Sequence, residues 1–241
     1  MVKVEVCIAT DDIAVMRQDV LAAHEGGAAT IELCSRMDVG GLTPSPEAML
    51  AARKAFPRAG MMVMIRPRPG DFQYSERDID AMQKMIHTAA AADADGVVLG
   101  ILTADRTLAK DKLARMATLA DSLDMQVSLH RAFDDALQPM TALQTCIDLG
   151  MARVLTAGSA YRDDLPAVEG KSSLHALIRA AENRIEIVIG GGVNPENAAR
   201  ILRGAPPTER LSLHAFSGVR MRGKVQVKRV QALYQAANPH P

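Results

Sequence analysis

Aromatic residues are scarce in this chain of 241 residues: four Phe, three Tyr and no Trp. A core must therefore be built from aliphatic side chains and from the 14 methionines, which fill irregular gaps. Charge of one sign is also missing, because 28 Lys and Arg balance 28 Asp and Glu. No global field draws such a chain to nucleic acid or to a membrane surface. No apolar run approaches the roughly 18 residues that cross a bilayer. The start, Met1-Val2-Lys3-Val4-Glu5-Val6, alternates like a strand and lacks the apolar stretch of a signal peptide. Cysteine is limited to Cys7, Cys34 and Cys146, an odd and sparse set that excludes a disulfide framework and fits cytoplasmic thiols.

What is present is a repeated alternation of short apolar, β-branched runs with helical faces. The runs are Val2–Ile8, Ala29–Cys34, Gly60–Arg66, Gly96–Leu99, Met125–His130, Ala152–Thr156, Ile185–Ile189 and Leu211–His214. Between them lie faces such as Ile13, Met16, Val20 and Ala23, with start signals at Ser45-Pro46, at Ser75 before Asp78, and at Asn194-Pro195. No linker or low-complexity stretch separates the units. Strands alternating with helices imply a parallel sheet, and eight such units close into a barrel. An open doubly wound sheet would want a glycine-rich turn after an early strand, and Ala9-Thr10-Asp11-Asp12 is not one. The expectation is an α/β fold, a single (β/α)8 TIM-barrel domain over residues 1–241.

Barrels keep their working groups at the C-terminal strand ends. The first strand carries Glu5-Val6-Cys7 and the second Glu32-Leu33-Cys34, the same spacing twice. With a side-chain period of two, Glu5 and Cys7 share a face, as do Glu32 and Cys34, and the helix-covered outside leaves the inside for polar groups. Adjacent strands about 4.8 Å apart would bring the two thiols together at the barrel mouth. Two neighbouring thiolates suit Cu(I) or part of a zinc site; buried free cysteines also pack as small hydrophobes. Met61, Met62 and Met64 of the third strand offer thioethers, or serve as core filler.

The third strand runs into Arg66-Pro67-Arg68, and a guanidinium pair pointing the same way suits a phosphate or carboxylate. The alternative partner for these arginines is Glu5 or Glu32. His130 at the end of strand five can act as acid, base or ligand. Thr156 to Ser159 after strand six, and Gly190, Gly191 and Gly192 after strand seven, form small loops with exposed backbone. The second loop leads to a helix start whose amides could cradle an anion, with His214 and Ser217 of strand eight opposite. An anion would then sit between Gly191–Gly192 and Ser217, with Arg66 or Arg68 closing the far side. Lys224, Lys228 and Arg229 read as the solvated face of the last helix.

Several strings, taken in order, resemble the CutC copper homeostasis protein family. They are Glu5-Val6-Cys7, Ile31-Glu32-Leu33-Cys34-Ser35, Gly40-Gly41-Leu42-Thr43-Pro44-Ser45, Met64-Ile65-Arg66-Pro67-Arg68, Gly70-Asp71-Phe72 with Tyr74, Asp95-Gly96-Val97-Val98, His130-Arg131-Ala132-Phe133-Asp134, Arg153-Val154-Leu155-Thr156 and Gly190-Gly191-Gly192. The resemblance implies a barrel, a cytoplasmic location and a role in copper handling, with Cys7 and Cys34 at the family's cysteine positions. It supplies no established reaction. Ser212-Leu213-His214-Ala215-Phe216 departs from the family, which often has an acid before this His and a small residue in place of Phe216. Cys146 has no counterpart there. Two functions follow. The first is a copper homeostasis protein holding Cu(I) (Cu+) as its bound ion at Cys7 and Cys34. The second is an enzyme on a small phosphorylated or carboxylated metabolite, in which Glu32 and His130 move protons and Arg66, Arg68, Thr156, Ser159, Gly191, Gly192 and His214 bind substrate. The expected partners are a copper ion or a small anionic metabolite, with a homodimer as the candidate assembly.

Overall fold

Eight parallel strands close on themselves in chain order in the computed structural model, which describes residues 1–239. In sequence these are β1 (Lys3–Ala9), α1 (Ile13–Glu25), β2 (Thr30–Cys34), α2 (Pro46–Ala55), β3 (Met61–Met64), α3 (Glu76–Ala91), β4 (Gly96–Leu99) and α4 (Lys110–Asp121). Then follow β5 (Gln126–Leu129), α5 (Pro139–Asp148), β6 (Arg153–Thr156), α6 (Lys171–Ala181), β7 (Glu186–Ile189), α7 (Ala198–Leu202), β8 (Leu211–Ala215) and α8 (Val227–Ala237). The circle closes where β8 pairs with β1, from Lys3 opposite Ser212 to Val6 opposite Ala215. This is the (β/α)8 barrel that the alternation implies.

Local chemistry starts the helices. Asp12 caps α1 by accepting from the amides of Ala14 and Val15. Ser45 caps α2 ahead of Pro46, and Ser75 with Asp78 forms a capping box on α3. The seventh helix departs from its sequence signal. It begins at Ala198, not at Asn194-Pro195, and lasts five residues. The amides of Asn194 and Asn197 each donate to the other's side-chain oxygen at 2.9 Å, a closed turn that occupies two of the amides at the expected helix start. The helix-dipole argument for an anion at this loop therefore does not hold.

Side-chain alternation sorts each strand into two environments. Val4, Val6, Ile8, Ile31 and Leu33 join the apolar layer beneath the helices, against Met16 and Val20 of α1 and Met49 of α2. The alternate positions fill the barrel. Interiors of this kind are dominated by Val, Ile and Leu, yet here Glu5, Glu32, Ser128, Arg153 and Ser212 are inside, none more than 3% exposed. Burying charge is costly unless it is paired. Arg153 reaches across from β6 to donate to Glu5 at 2.5 Å, and Glu5 also accepts from Thr30 at 2.8 Å. Below them Glu186 receives Ser212 and lies 3.6 Å from both Arg153 and Lys3. The barrel core is thus a charged column wrapped in an apolar shell.

Candidate functional site

At the C-terminal end of the barrel the column opens into a cavity of about 300 Å³. Register explains its thiol end. Cys7 of β1 stands opposite Glu32 of β2, and Cys34 lies one strand step above Glu32 on the same face. One donor atom each from Cys7, Glu32 and Cys34 falls within 4.8 Å of the others, and all three residues are buried. Glu5, Cys7, Glu32 and Cys34 therefore all face inward, as parity requires. Met62 and Met64 pack against this cluster, whereas Met61 belongs to the outer core. Cys146, in α5, is a core thiol pushed up to about 12 by burial.

His214 of β8 joins the thiol end to the column. Its Nδ1 donates to Glu5 at 2.9 Å and its Nε2 lies 3.7 Å from a Glu32 oxygen. Burial works against charge on this ring, but Glu32, Cys7 and Glu5 together hold its pKa well above the ordinary value. For Glu5 burial is outweighed by Arg153 and His214, so its carboxyl ionises well below the usual range. Burial pushes Glu32 up to about 8. Hydrogen bonding from Cys34 pulls Cys7 down to about 5 against its burial, with His214 and Arg220 helping. Cys34 moves the other way, pushed well above the ordinary thiol by Cys7, by burial and by Glu32. The shifts run in opposite directions: Cys7 moves toward the ionised form, and Cys34 and Glu32 toward the protonated form.

The opposite wall of the cavity carries Arg66, Phe72 and His130. Arg66 and His130 both lie beyond their strands, since β3 ends at Met64 and β5 at Leu129. Arg66 does not pair with Glu5 or Glu32. Its Nη1 donates to the carbonyls of Val39 and Gly41 at 2.9 and 3.0 Å, and its Nη2 to Gly70 at 2.8 Å. It clamps two loops, leaving Nε buried without a partner among the described residues. Arg68 points elsewhere, to Asp71 and the Gln73 carbonyl on the surface, so Pro67 does not keep the two guanidiniums parallel.

His130 has a fixed tautomer. Its Nδ1 accepts from the Ala132 amide at 3.0 Å, so the ring proton sits on Nε2, which has no acceptor among the described residues. Burial, then Arg66, depresses its pKa to about 3. A ring with its lone pair already engaged and a low pKa donates a hydrogen bond; it does not collect protons at neutral pH. Gly100 makes room for it, since a Cβ there would lie 2.6 Å from the imidazole.

Gly191, Gly192, His214 and Ser217 line this same cavity, as the sequence placed them. Thr156 and Ser159 do not; they line a second cavity of about 590 Å³ between the loops after β5 and β6. Thr156 is occupied structurally, donating to Asp134, which also accepts from the Ala157 amide at 2.9 Å and pairs with Arg131 at 2.7 Å. Sequence reasoning overlooked the Met37 sulfur, 4.0 Å from Cys7, and the aromatic rim of Phe72, Tyr161 and Phe216. Among the described residues no helix is long and apolar enough to cross a membrane.

Comparison with known proteins agrees with the barrel fold. The family model for the CutC family matches residues 2–215. The copper homeostasis protein cutC homolog of Homo sapiens is 41% identical over 205 residues, spanning 85% of this chain and 70% of the relative. A family protein CutC of Vibrio vulnificus (strain CMCP6) is 43% identical over 197 residues, 82% of this chain and 74% of that one. Among solved structures, the putative copper homeostasis protein CutC of Streptococcus agalactiae superposes with a TM-score of 0.77 at 29% identity, covering 89% of this chain and 98% of that chain. The chain belongs to the CutC family.

Proposed function

We propose that this protein handles copper in the cytoplasm by holding one Cu(I) between Cys7 and Cys34 at the barrel mouth. The observation that carries the reading is the convergence of two buried thiols beside the His214 imidazole, with Cys7 shifted toward the thiolate by Cys34 and His214. Soft thiolates favour Cu(I), which tolerates low coordination, and the bound ion would be shielded from water. The free cysteines suit a reducing compartment. The names of the relatives, which describe copper homeostasis, agree. An anaerobic competition titration of wild type and Cys34→Ser against a Cu(I) chelator tests it. About one high-affinity ion per chain, lost in the variant, is the expected result; equal competition by both proteins sinks the reading.

A second reading is favoured by one observation, the neutral His130 whose Nε2–H lacks an acceptor among the described residues, beside the buried Arg66. Together they suit the oxygen of a small carboxylated or phosphorylated metabolite, with protonated Glu32 as the acid. Because Arg66 also clamps loops, the variant of choice is His130→Phe, checked for an unchanged melt because it removes the acceptor for the Ala132 amide along with the Nε2 donor, while keeping the ring packing on Phe72. Calorimetry against phosphate, sugar phosphates and small carboxylates should show binding weakened in the variant by about 1–3 kcal/mol. No binding by wild type across that panel would end the enzyme reading.

A further inference from the structure

The loop after β2 is built to place one side chain. Ser35 and Leu42 exchange backbone hydrogen bonds at 2.9 and 2.7 Å, closing the base of the loop. Arg36 adopts a left-handed backbone at φ 49°, with its amide donating to the Asp11 carboxylate at 3.0 and 3.1 Å and its guanidinium gripping Asp38 at 2.8 Å. Gly40 and Gly41 follow at φ 82° and 88°, where a side chain would be strained. Between these reversals Met37 folds back over the thiols, half-buried against the Cys7–Cys34 cluster.

We propose that Met37 is a third sulfur ligand, so that the mouth is a Cys2Met site whose thioether favours Cu(I) over divalent ions; this rests on the Cys7–Cys34 reading above. Three sulfurs around one ion at about 2.3 Å, the zinc–thiolate distance, stand about 4 Å apart. The Met37 sulfur is 4.0 Å from that of Cys7. It also shares a space with Cys34: a Cβ built on Gly41 would lie 3.4 Å from the Cys34 sulfur and 3.7 Å from the Met37 sulfur. With the two cysteine sulfurs themselves within 4.8 Å, the Cys7–Cys34 and Cys7–Met37 edges are of the required size, and Cys34 and Met37 border the same gap beside Gly41. Glycine at 41 keeps that space free of carbon.

Two other candidate third ligands, Met62 and Glu32, fit less well. The Met62 sulfur lies 2.8 Å from where a Gly96 Cβ would be, turned toward β4. Glu32 is close enough, but its oxygen is a hard donor that suits zinc better than Cu(I). The thiols therefore sit between a soft neutral donor on the loop side and a hard ionisable donor within the barrel. Which of them completes the shell depends on the ion, and Met37 gives the monovalent soft ion its advantage.

Met37→Leu keeps the apolar volume and removes only the sulfur, so it separates ligation from packing. Wild type, Met37→Leu and Cys34→Ser, each checked for an unchanged thermal melt, are titrated anaerobically with Cu(I) and separately with Zn(II). Protein labelled at the methionine methyl carbons reports Met37 directly by NMR, and X-ray absorption counts the sulfurs on copper. The expected result is a Met37 methyl resonance that moves with Cu(I) and not with Zn(II), and three sulfurs falling to two in Met37→Leu. Cu(I) affinity should drop about tenfold in Met37→Leu, the lower end of the effects seen when a metal's supporting groups are removed, with Zn(II) affinity unchanged. Undiminished Cu(I) affinity in Met37→Leu, with binding lost in Cys34→Ser, overturns the thioether while sparing the thiol pair. Undiminished binding in Cys34→Ser overturns both.

Discussion

Replacing Arg153 by Met tests whether the charged column holds the barrel together. The guanidinium and Glu5 are each 4% exposed as side chains, so solvent does little to screen their interaction. Taking one partner from a buried pair leaves an uncompensated charge and costs about 3–5 kcal/mol. Here Glu5 keeps Thr30 and His214 as partners, and Glu186 keeps Ser212 and Lys3, which places the loss near 3 kcal/mol. Urea unfolding followed by circular dichroism reads the difference, provided the dependence on denaturant is unchanged. Adding Glu5→Gln, which removes the orphaned charge but keeps a hydrogen-bonding side chain, should restore at least half. The pH dependence has a definite sign. The folded pKa of Glu5 lies below its ordinary 4.5, so its stabilisation is present above that value and fades as pH falls through the folded pKa. Arg153→Met removes much of this depression, so wild type and variant should converge in acid. A loss below about 1 kcal/mol at pH 7, or a gap that widens in acid, would refute the account of the column.

Glu32 has the opposite sign: its folded pKa is raised from 4.5 to about 8, so the stability it influences is greatest in acid and falls as pH rises across that window. Glu32→Gln should flatten the decline, measured as unfolding free energy from pH 5 to 8. Gly100→Ala would drive a methyl into the His130 ring at 2.6 Å and should cost about 1–3 kcal/mol by overpacking; a calorimetric melt within a degree of wild type would show that His130 has room to move. Asp12→Ala should cost about 1 kcal/mol in chemical unfolding through the lost α1 cap. At pH 7, Cu(I) uptake should release about one proton per ion and Zn(II) about two, read by calorimetry in buffers of different ionisation enthalpy; equal proton counts would contradict the protonation states assigned to Cys34 and Glu32.

The barrel was legible because each strand and helix has its own periodicity, and the inward turn of Glu5, Cys7, Glu32 and Cys34 followed from a period of two. What hides from sequence is pairing across the barrel. Arg153 and Glu5 are 148 residues apart, and neither strand alone names the other as partner. Loops hide more. Extending strand geometry through Pro67 would align Arg66 with Arg68, but the chain turns and sends Arg68 to Asp71. Asn194-Pro195 carries a helix-start signal that the reciprocal Asn194–Asn197 bonds divert into a turn. Met37 was one methionine among 14. Only the left-handed Arg36 beside Asp11 reveals where its sulfur lands.

The column also bears on which ion the mouth suits. From the base upward the buried charges alternate: Arg153 positive, Glu5 negative, His214 positive, Cys7 negative. Glu32 and Cys34 stand beside this series shifted toward their neutral forms, because their folded pKa values are raised. Exchanging the Cys34 proton for Cu(I) swaps one unit of positive charge for another and leaves the buried net charge as it was. A divalent ion making the same exchange adds a positive charge to a site where desolvation penalises it. It recovers neutrality only if Glu32 also gives up its proton, which places a carboxylate oxygen on the metal. On the proposed reading the thiol pair would accept a monovalent ion at the cost of one proton and a divalent ion at the cost of two, so falling pH should weaken zinc binding more steeply than copper binding.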